Sequence, residues 1–138
     1  MKDVQPRSDC PISYTLDILG DKWSLLILRD MIFAAKSSYG EFLTSGEGIA
    51  TNILADRLAM LLSQELITKT VSPQNKSKLV YNLTEKGISL LPVIMEITVW
   101  GAQNSPSGGN DELLKALRKD RKGTIKEFSK MLRKRIAV

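Results

Sequence analysis

The chain has 138 residues, which is enough for one domain with a substantial core and too few for two independent ones. Hydrophobic residues make up 43% and charged residues 25%, values that are typical of a soluble globular protein. The absence of histidine removes the commonest general base and the commonest metal ligand. Neither a paired-carboxylate motif nor a phosphate-binding glycine loop is present, so the sequence argues against an enzyme and against a cofactor.

The net charge of +5 is distributed unevenly along the chain. Residues 111–138 carry ten Lys/Arg against four Asp/Glu, whereas residues 1–110 carry ten against eleven. The basic character therefore belongs to the C-terminal tail, and any attraction to phosphate in the rest of the chain must come from local clusters. The single cysteine excludes an internal disulfide. Without a long apolar segment or a signal peptide, we expect a cytoplasmic protein with no membrane association.

Two short helices are predicted at the start of the chain. Pro11 is tolerated at a first helical position, and a helix over residues 12–19 ends at Gly20, a typical C-cap. Asp21 is a favoured N-cap for a second helix over residues 22–33. The apolar side chains of this second helix form one stripe: Trp23, Leu26, Ile27 and Met31.

A short third helix opens at Ser38 or Tyr39, and residues 44–48 form a turn. An amphipathic helix is predicted next, over residues 49–66. Its apolar side chains recur at roughly helical spacing: Ile49, Leu54, Leu58, Leu61 and Leu62.

Two β-like runs follow this helix, Ile67–Val71 and Lys78–Leu83, and a polar loop over residues 72–77 joins them. A helix fits the major groove of B-DNA, and a cationic loop can reach the neighbouring phosphates or the minor groove. The helix and hairpin together therefore predict a winged helix-turn-helix, and with it a DNA-binding transcriptional regulator.

The last third of the chain is predicted to be helical. Thr84 caps a long helix that runs to about residue 103 and that Pro92 kinks. After a flexible break over residues 104–110, two helices cover residues 111–122 and 124–136, the second opened by a Thr124–Glu127 capping box. We therefore expect a winged-helix domain over residues 1–103, and a linker with a basic helical extension over residues 104–138.

An ordered set of residues between positions 10 and 103 matches a known pattern. The set comprises Cys10-Pro11, the run from Leu16 to Trp23, Leu26-Ile27-Leu28, Phe42-Leu43, Gly48-Ile49, Leu54, Arg57-Leu58, Leu61, Leu66-Ile67, the run from Tyr81 to Gly87, Leu91-Pro92 and Trp100-Gly101. In this order the chain resembles the HxlR-type winged helix-turn-helix regulators of bacteria, which are similar to the MarR type. The resemblance implies a mainly α fold with a small β-hairpin (α+β) and terminal dimerisation helices. It also implies a homodimer that places one recognition helix in each half-site of a pseudo-palindromic operator.

The chain departs from the family pattern at three places. Ala50 stands where the family favours a small capping hydroxyl, so the cap role is expected to pass to Thr51. Glu65 stands where the family favours glycine, so either Glu65 adopts a positive φ at some cost or the chain leaves the helix differently. Tyr39-Gly40 replace an arginine of the family.

The candidate DNA-contacting residues lie on the recognition helix and in the wing. With its leucines facing the core, the helix exposes its N-terminal turns, where helix-turn-helix side chains reach base edges. Asn52 can pair bidentately with adenine, Arg57 can bind guanine or phosphate, and Asp56 can orient Arg57 or accept from a cytosine amine. The complete set is Thr51, Asn52, Ala55, Asp56 and Arg57 on the helix, with Lys76 and Lys78 as phosphate contacts in the wing. The alternative is that these are solvated polar positions.

Cys10 is a candidate redox-sensing residue. It lies at a helix start, where the helix dipole can lower a thiol pKa and promote reactivity. Without a second cysteine, the available chemistry is an intersubunit disulfide, a mixed disulfide or an adduct. The alternative is an inert thiol that fills a dimer contact.

Three readings of function follow from these residues. The first is a repressor that binds double-stranded DNA as a homodimer, since steric occlusion requires no further surface; a small molecule or an oxidant is its candidate effector. The second is a thiol-based redox or electrophile sensor that uses Cys10. The third is a protein-binding adaptor, in which the winged helix has changed from binding DNA to binding protein.

Trp23 and Trp100 are interpreted as core or dimer-interface residues. The amphipathic tail fits packing on the dimer, DNA flanks, a membrane surface or a partner.

Overall fold

The computed structural model describes residues 8–108 and 111–136. Within them the elements are, in chain order, α1 (Pro11–Leu19), α2 (Lys22–Phe33), α3 (Tyr39–Leu43), α4 (Thr51–Ser63), β1 (Ile67–Val71), β2 (Leu79–Leu83), α5 (Glu85–Ile88), α6 (Leu91–Asn104), α7 (Asp111–Lys119) and α8 (Arg121–Ile136). The chain divides into two compact units, with the boundary between Thr84 and Glu85. The first unit is the predicted winged helix-turn-helix, built from α2, α3, α4 and the hairpin.

The junction between α1 and α2 follows the sequence prediction. The Asp21 carboxylate accepts hydrogen bonds from the backbone N–H groups of Trp23 at 2.9 Å and Ser24 at 3.0 Å, which confirms the predicted N-cap. Gly20 is the C-cap of α1 and has a right-handed backbone, with φ −75°. A side chain at this position would collide with the carbonyl oxygen of Leu16, so the close approach of the backbone favours glycine.

The first unit has a continuous apolar core between α2, α3, α4 and the hairpin. Ser38 caps α3 in a capping box with Glu41, which fixes where this short helix begins. The buried side chains of this core include Ile27, Leu28, Ile32, Phe42, Leu54, Leu58, Leu61, Leu66, Ile67, Tyr81 and Leu83. Leu54, Leu58 and Leu61 of α4 therefore face inward, as the periodicity of the helix predicted.

The ends of α4 differ from those predicted. The helix begins at Thr51 and ends at Ser63, and Ala50 is its N-cap with an extended backbone and no side-chain hydrogen bond. The expected transfer of the cap role to Thr51 is wrong, because Thr51 already has a helical backbone. Glu65 adopts a positive φ of 59°, which is the first of the two predicted alternatives.

The exit from α4 is a Schellman motif. The N–H of Leu66 binds the carbonyl of Leu61 at 3.0 Å, and the N–H of Glu65 binds that of Leu62 at 3.0 Å. The Thr84 hydroxyl donates to the Glu65 carbonyl at 2.6 Å and so holds the strained residue in place. The chain thus accepts the conformational cost of a non-glycine residue at this turn.

The predicted hairpin is confirmed. β1 and β2 pair antiparallel, from Ile67 opposite Leu83 to Val71 opposite Leu79. The predicted second strand began at Lys78, but the observed one begins at Leu79. The N–H of Tyr81 donates to the carbonyl of Ser37 at 2.7 Å, which fixes the hairpin beside the start of α3.

The single long helix predicted after Thr84 is wrong, because the structure has two helices there. α5 ends at Ile88 and α6 begins at Leu91, with Pro92 in the first turn of α6. Proline has no N–H and its ring clashes with the carbonyl four residues earlier, which is why the helix breaks instead of bending. Pro92 is tolerated in a first turn, where the N–H would have no helical partner.

The boundary between the last two helices also differs from that predicted. The break lies at Asp120, whose carboxylate accepts from the N–H of Gly123 at 2.9 Å. Thr124 lies inside α8 and its hydroxyl donates to the carbonyls of Ala116 and Asp120, so the predicted Thr124–Glu127 capping box is wrong. The buried core of this second unit includes Leu91, Ile94, Met95, Leu114, Leu117 and Leu132.

The predicted flexible break at 104–110 is described in part. Residue 104 still belongs to α6, residues 105–108 are outside any helix, and residues 109 and 110 lie outside the described residues. Across the described ranges, the helices are too short or too polar to span a bilayer.

Candidate nucleic-acid interface

The N-terminal half of α4 presents a polar face to solvent. Thr51, Asn52 and Ala55 are exposed, whereas Leu54 and Leu58 are buried among α2 and the hairpin. The Tyr39 hydroxyl donates to the carbonyl of Thr51 at 2.9 Å and so ties α3 to the start of α4. The first turns of α4 are therefore both accessible and held by the preceding helix.

Arg57 is held within the fold by two carboxylates. Its guanidinium lies 3.2 Å from the Asp21 carboxylate and donates through Nε to Asp56 at 3.1 Å. The contact expected between Asp56 and Arg57 is therefore present, and Asp21 adds a second anchor. Since Asp21 also caps α2, one carboxylate joins the start of α2 to the middle of α4.

The pKa of Asp21 reflects this network. Partial burial would raise the pKa, but hydrogen bonds from the Ser24 side chain and backbone, together with the charge of Arg57, outweigh it, so the pKa lies below its ordinary value. For Arg57, the hydrogen bond to Asp56 and the bond and charge of Asp21 raise the pKa against the effect of partial burial. Both groups are charged at neutral pH, and the pair links α2 and α4 electrostatically.

The wing presents its two lysines to solvent. Lys76 and Lys78 are exposed beside Asn75, whose side chain accepts from the backbone and hydroxyl of Ser77. The carbonyl of Lys78 accepts from the N–H of Ser72 at 2.8 Å, which closes the loop. A groove of about 420 Å³ lies between the wing and the start of α3, lined by Tyr39, Lys78 and their neighbours.

Cys10 is exposed and is the N-cap of α1. Its backbone N–H donates to the Ser8 hydroxyl at 3.1 Å, and its carbonyl accepts from the N–H of Tyr14 at 3.0 Å. The thiol is therefore accessible in the single chain, and both readings of Cys10, a reactive thiol and an inert thiol that fills a dimer contact, stay predictions. Among the residues that the structure describes, no three His, Cys, Asp or Glu side chains lie close enough to hold a metal ion.

The two tryptophans lie in different environments. The Lys22 ammonium lies 4.5 Å from the centre of the Trp23 ring, and Trp23 is half-buried. Trp100 is 69% exposed on α6, so the core reading of this residue is wrong and the interface reading stays a prediction.

Sequence reasoning missed the contacts that two residues of the site make with α4. Asp21 was predicted as a cap, but nothing local indicates that it also binds Arg57, which lies 36 positions further along the chain. Tyr39 was noted as a possible start of the third helix and as part of the replacement for an arginine of the family. Neither observation predicts its hydrogen bond to the carbonyl of Thr51.

Comparisons with known proteins agree with this architecture. Residues 18–108 match the family described as HxlR-like helix-turn-helix. The uncharacterized HTH-type transcriptional regulator YybR of Bacillus subtilis is 31% identical over 104 residues, which cover 75% of this chain and 82% of that protein. The HTH-type transcriptional regulator YodB of the same organism is 32% identical over 95 residues, 68% of this chain and 84% of YodB.

A solved structure of the redox regulator HypR in its reduced form superposes with a TM-score of 0.63 at 28% identity, covering 71% of this chain and 96% of HypR. A solved structure of diamide-treated YodB superposes with a TM-score of 0.53 at 30% identity, covering 69% of this chain and 94% of YodB.

Proposed function

Because this chain belongs to the HxlR-like helix-turn-helix family of transcriptional regulators, we propose that it binds a pseudo-palindromic operator as a homodimer and represses transcription from it. The observation that carries the proposal is the exposed polar face on the first turns of α4. A recognition helix needs accessible polar side chains at its N-terminus and an apolar side fixed in the fold, and α4 has both.

In this proposal, each side chain has a separate role. Thr51, Asn52 and Ala55 face the base edges, with Asn52 able to bind adenine through two hydrogen bonds. Lys76 and Lys78 bind phosphates and set the position of the wing. Arg57 must exchange Asp21 or Asp56 for guanine or phosphate, so its contribution to DNA affinity is reduced by the ion pairs that it gives up.

The homodimer is supported by unpartnered apolar stripes on two helices, each considered by itself. On α1, Ile12 is 71% exposed and Leu16 is 57% exposed. On α6, Val93, Ile97 and Trp100 are 42%, 48% and 69% exposed, and their spacing places them on one face of the helix. Large apolar side chains clustered in this way are typical of a protein–protein interface.

Replacing Trp100 by glutamate is expected to convert the dimer into a monomer, because a charge would be buried without a partner at the centre of the α6 stripe. Trp100 is largely exposed, so the isolated subunit should still fold. Light scattering after size-exclusion chromatography gives the mass directly. Gln103→Glu adds the same charge at the edge of the stripe, where a carboxylate can stay solvated in the polar rim of an interface, and should remain dimeric. A Trp100→Glu variant of unchanged dimeric mass would contradict the α6 interface.

The function itself is tested by selecting genome fragments with the purified wild-type protein at about 0.15 M salt, the physiological ionic strength. Enrichment of one pseudo-palindromic sequence is expected, and loss of transcriptional repression on deleting that sequence should follow. Retention of DNA without any enriched sequence would count against sequence recognition by α4. It would favour the alternative of an adaptor whose winged helix binds protein.

Regulation through Cys10 is a second candidate function, favoured by the exposure of its thiol and by the likeness to HypR and YodB. Diamide would oxidise the Cys10 thiols of two subunits to a disulfide; the two thiols lose two electrons and two protons, which reduce diamide to its hydrazine. A change in the dimer then lowers operator affinity.

Treatment with diamide is expected to reduce operator affinity by roughly tenfold or more, within the usual range of coupling between sites. Affinity should return on reduction by dithiothreitol. Cys10→Ser is the matched control and should bind the operator equally well with and without diamide. Equal loss of affinity in wild type and Cys10→Ser would exclude the thiol as the sensor.

A further inference from the structure

Helix α8 carries a row of lysines with a regular spacing. Lys122, Lys126, Lys130 and Lys134 lie four residues apart and all four are exposed. Residues with this spacing are neighbours on one side of a helix, so the four ammonium groups form a ridge about 18 Å long. We call these four residues the lysine ridge.

Two of the three arginines of α8 have a different environment. Arg133 binds both carboxylate oxygens of Glu85, at 2.8 and 3.1 Å, and Arg121 binds Glu96. These two arginines therefore hold α8 against α5 and α6 within the second unit. Within the lysine ridge, Lys130 lies 4.0 Å from Glu127, the single acidic residue in the α8 sequence.

The stability of α8 does not account for the lysine ridge. Like charges four residues apart repel one another and weaken a helix. Lys122 lies in the first turn, where the helix dipole disfavours a cation, whereas Lys134 lies in the last turn, where a cation is favoured. Lys122 and Lys126 therefore contribute nothing favourable to the isolated helix, which leaves both lysines available to an external anionic partner.

The opposite side of α8 is already occupied. Leu132 is 3% exposed, and Ile125 and Phe128 are half-buried. A helix that lies on a membrane surface must insert its apolar side between the lipids, and α8 uses that side for packing in its own unit. The geometry therefore favours a partner bound by charge alone.

We propose that the lysine ridge binds the phosphate backbone of the DNA that flanks the operator. This inference rests on the proposed function and adds to it a second contact surface, outside the recognition helix and the wing. DNA presents about one negative charge per 1.7 Å of its axis, which suits a row of flexible point charges. Lysine supplies affinity without reading bases, whereas arginine favours bidentate contacts. The family match ends at residue 108, so the ridge lies beyond it.

The test compares two variants with the same change in net charge. The ridge variant is Lys122→Gln/Lys126→Gln/Lys130→Gln, and the control is Lys115→Gln/Arg118→Gln/Lys119→Gln on α7. Glutamine keeps the helical propensity at each position. Thermal unfolding should show that the ridge variant is at least as stable as wild type, because repulsion along α8 is removed.

The measured quantity is the slope of log affinity against log salt concentration, on the selected operator with one helical turn of flanking duplex at each end. We expect the ridge variant to lose about 2–3 from the slope per subunit, since each lost phosphate contact removes about 0.9. The α7 control should keep a steeper slope than the ridge variant. On an operator trimmed to its half-sites, wild type and the ridge variant should bind alike. Equal slopes for all three proteins on the long duplex would overturn the proposal.

Failure of the ridge can be separated from failure of sequence recognition. A random-sequence duplex of the same length reports the charge-driven contact without any operator. Selection could enrich no sequence while the ridge variant still has a shallower slope than wild type on random DNA. That result would contradict operator recognition and support phosphate binding by the lysine ridge. If the ridge variant instead loses binding to phosphatidylserine vesicles while binding DNA like wild type, the DNA assignment is overturned.

Discussion

Asn52→Ala is expected to remove most of the sequence-selective DNA affinity while leaving the protein folded. Asn52 is exposed on the first turns of α4, so its truncation creates no cavity. A bidentate contact to a base contributes about 1–3 kcal/mol of discrimination, and a homodimer makes that contact twice. The loss should therefore be about 2–6 kcal/mol, or roughly 30-fold to 10⁴-fold in operator affinity.

Titration of a labelled operator and of a scrambled duplex of the same composition separates sequence-selective binding from non-specific binding. Asn52→Ala should approach the affinity of wild type for the scrambled duplex. Ser107→Ala, which removes an exposed polar side chain from the segment after α6, is the control and should retain operator affinity. An Asn52→Ala protein that selects the same palindrome with wild-type affinity would remove Asn52 from the reading surface. Arg57→Ala is a poorer test, because it also releases Asp21 and Asp56.

Asp21→Ala is expected to lower the free energy of unfolding by about 2–4 kcal/mol. The substitution removes the N-cap of α2, which usually stabilises by about 0.5–2 kcal/mol. It also leaves the fully buried Ser24 hydroxyl without the carboxylate that accepts its hydrogen bond at 2.7 Å, at a cost of about 1–3 kcal/mol. Urea unfolding followed by circular dichroism measures the difference. A decrease below about 0.5 kcal/mol, the lower limit for loss of a cap, would contradict the central role of this carboxylate.

Asp21→Asn separates the cap from the ion pair, because asparagine caps helices about as well as aspartate but carries no charge for Arg57. It should lose less stability than Asp21→Ala. The pKa of Asp21 is lowered in the folded state, so the contribution of its charge is present above the pKa of the unfolded chain. That contribution disappears as the pH falls below about 4, through the lower pKa of the folded state. The stability difference between wild type and Asp21→Asn should therefore shrink over that acid range.

Local sequence patterns were sufficient for the elements of the winged helix. The spacing of leucines placed α4, and the alternation of β-forming runs around a polar loop placed both strands to within one residue. The cap at Asp21 was predicted, and the start of α3 was placed at Ser38 or Tyr39, because a capping side chain binds backbone groups two or three residues away. At Glu65, the family's preference for glycine left two alternatives open, and the structure has the first of them, a positive φ in a Schellman motif.

The tertiary structure decided which side chains meet and which remain exposed. Arg57 and Asp21 are brought together by the packing of α2 on α4, and no periodicity relates residues so far apart in sequence. Trp100 follows the apolar pattern of α6, yet it is exposed, because hydrophobicity predicts burial without specifying whether the covering surface belongs to the same chain. On α8 the sequence determined the spacing of the lysines. Only the tertiary structure showed that Arg121 and Arg133 bind carboxylates of the same unit while the four lysines of the ridge are exposed, because sequence spacing does not specify which charged side chains meet a partner.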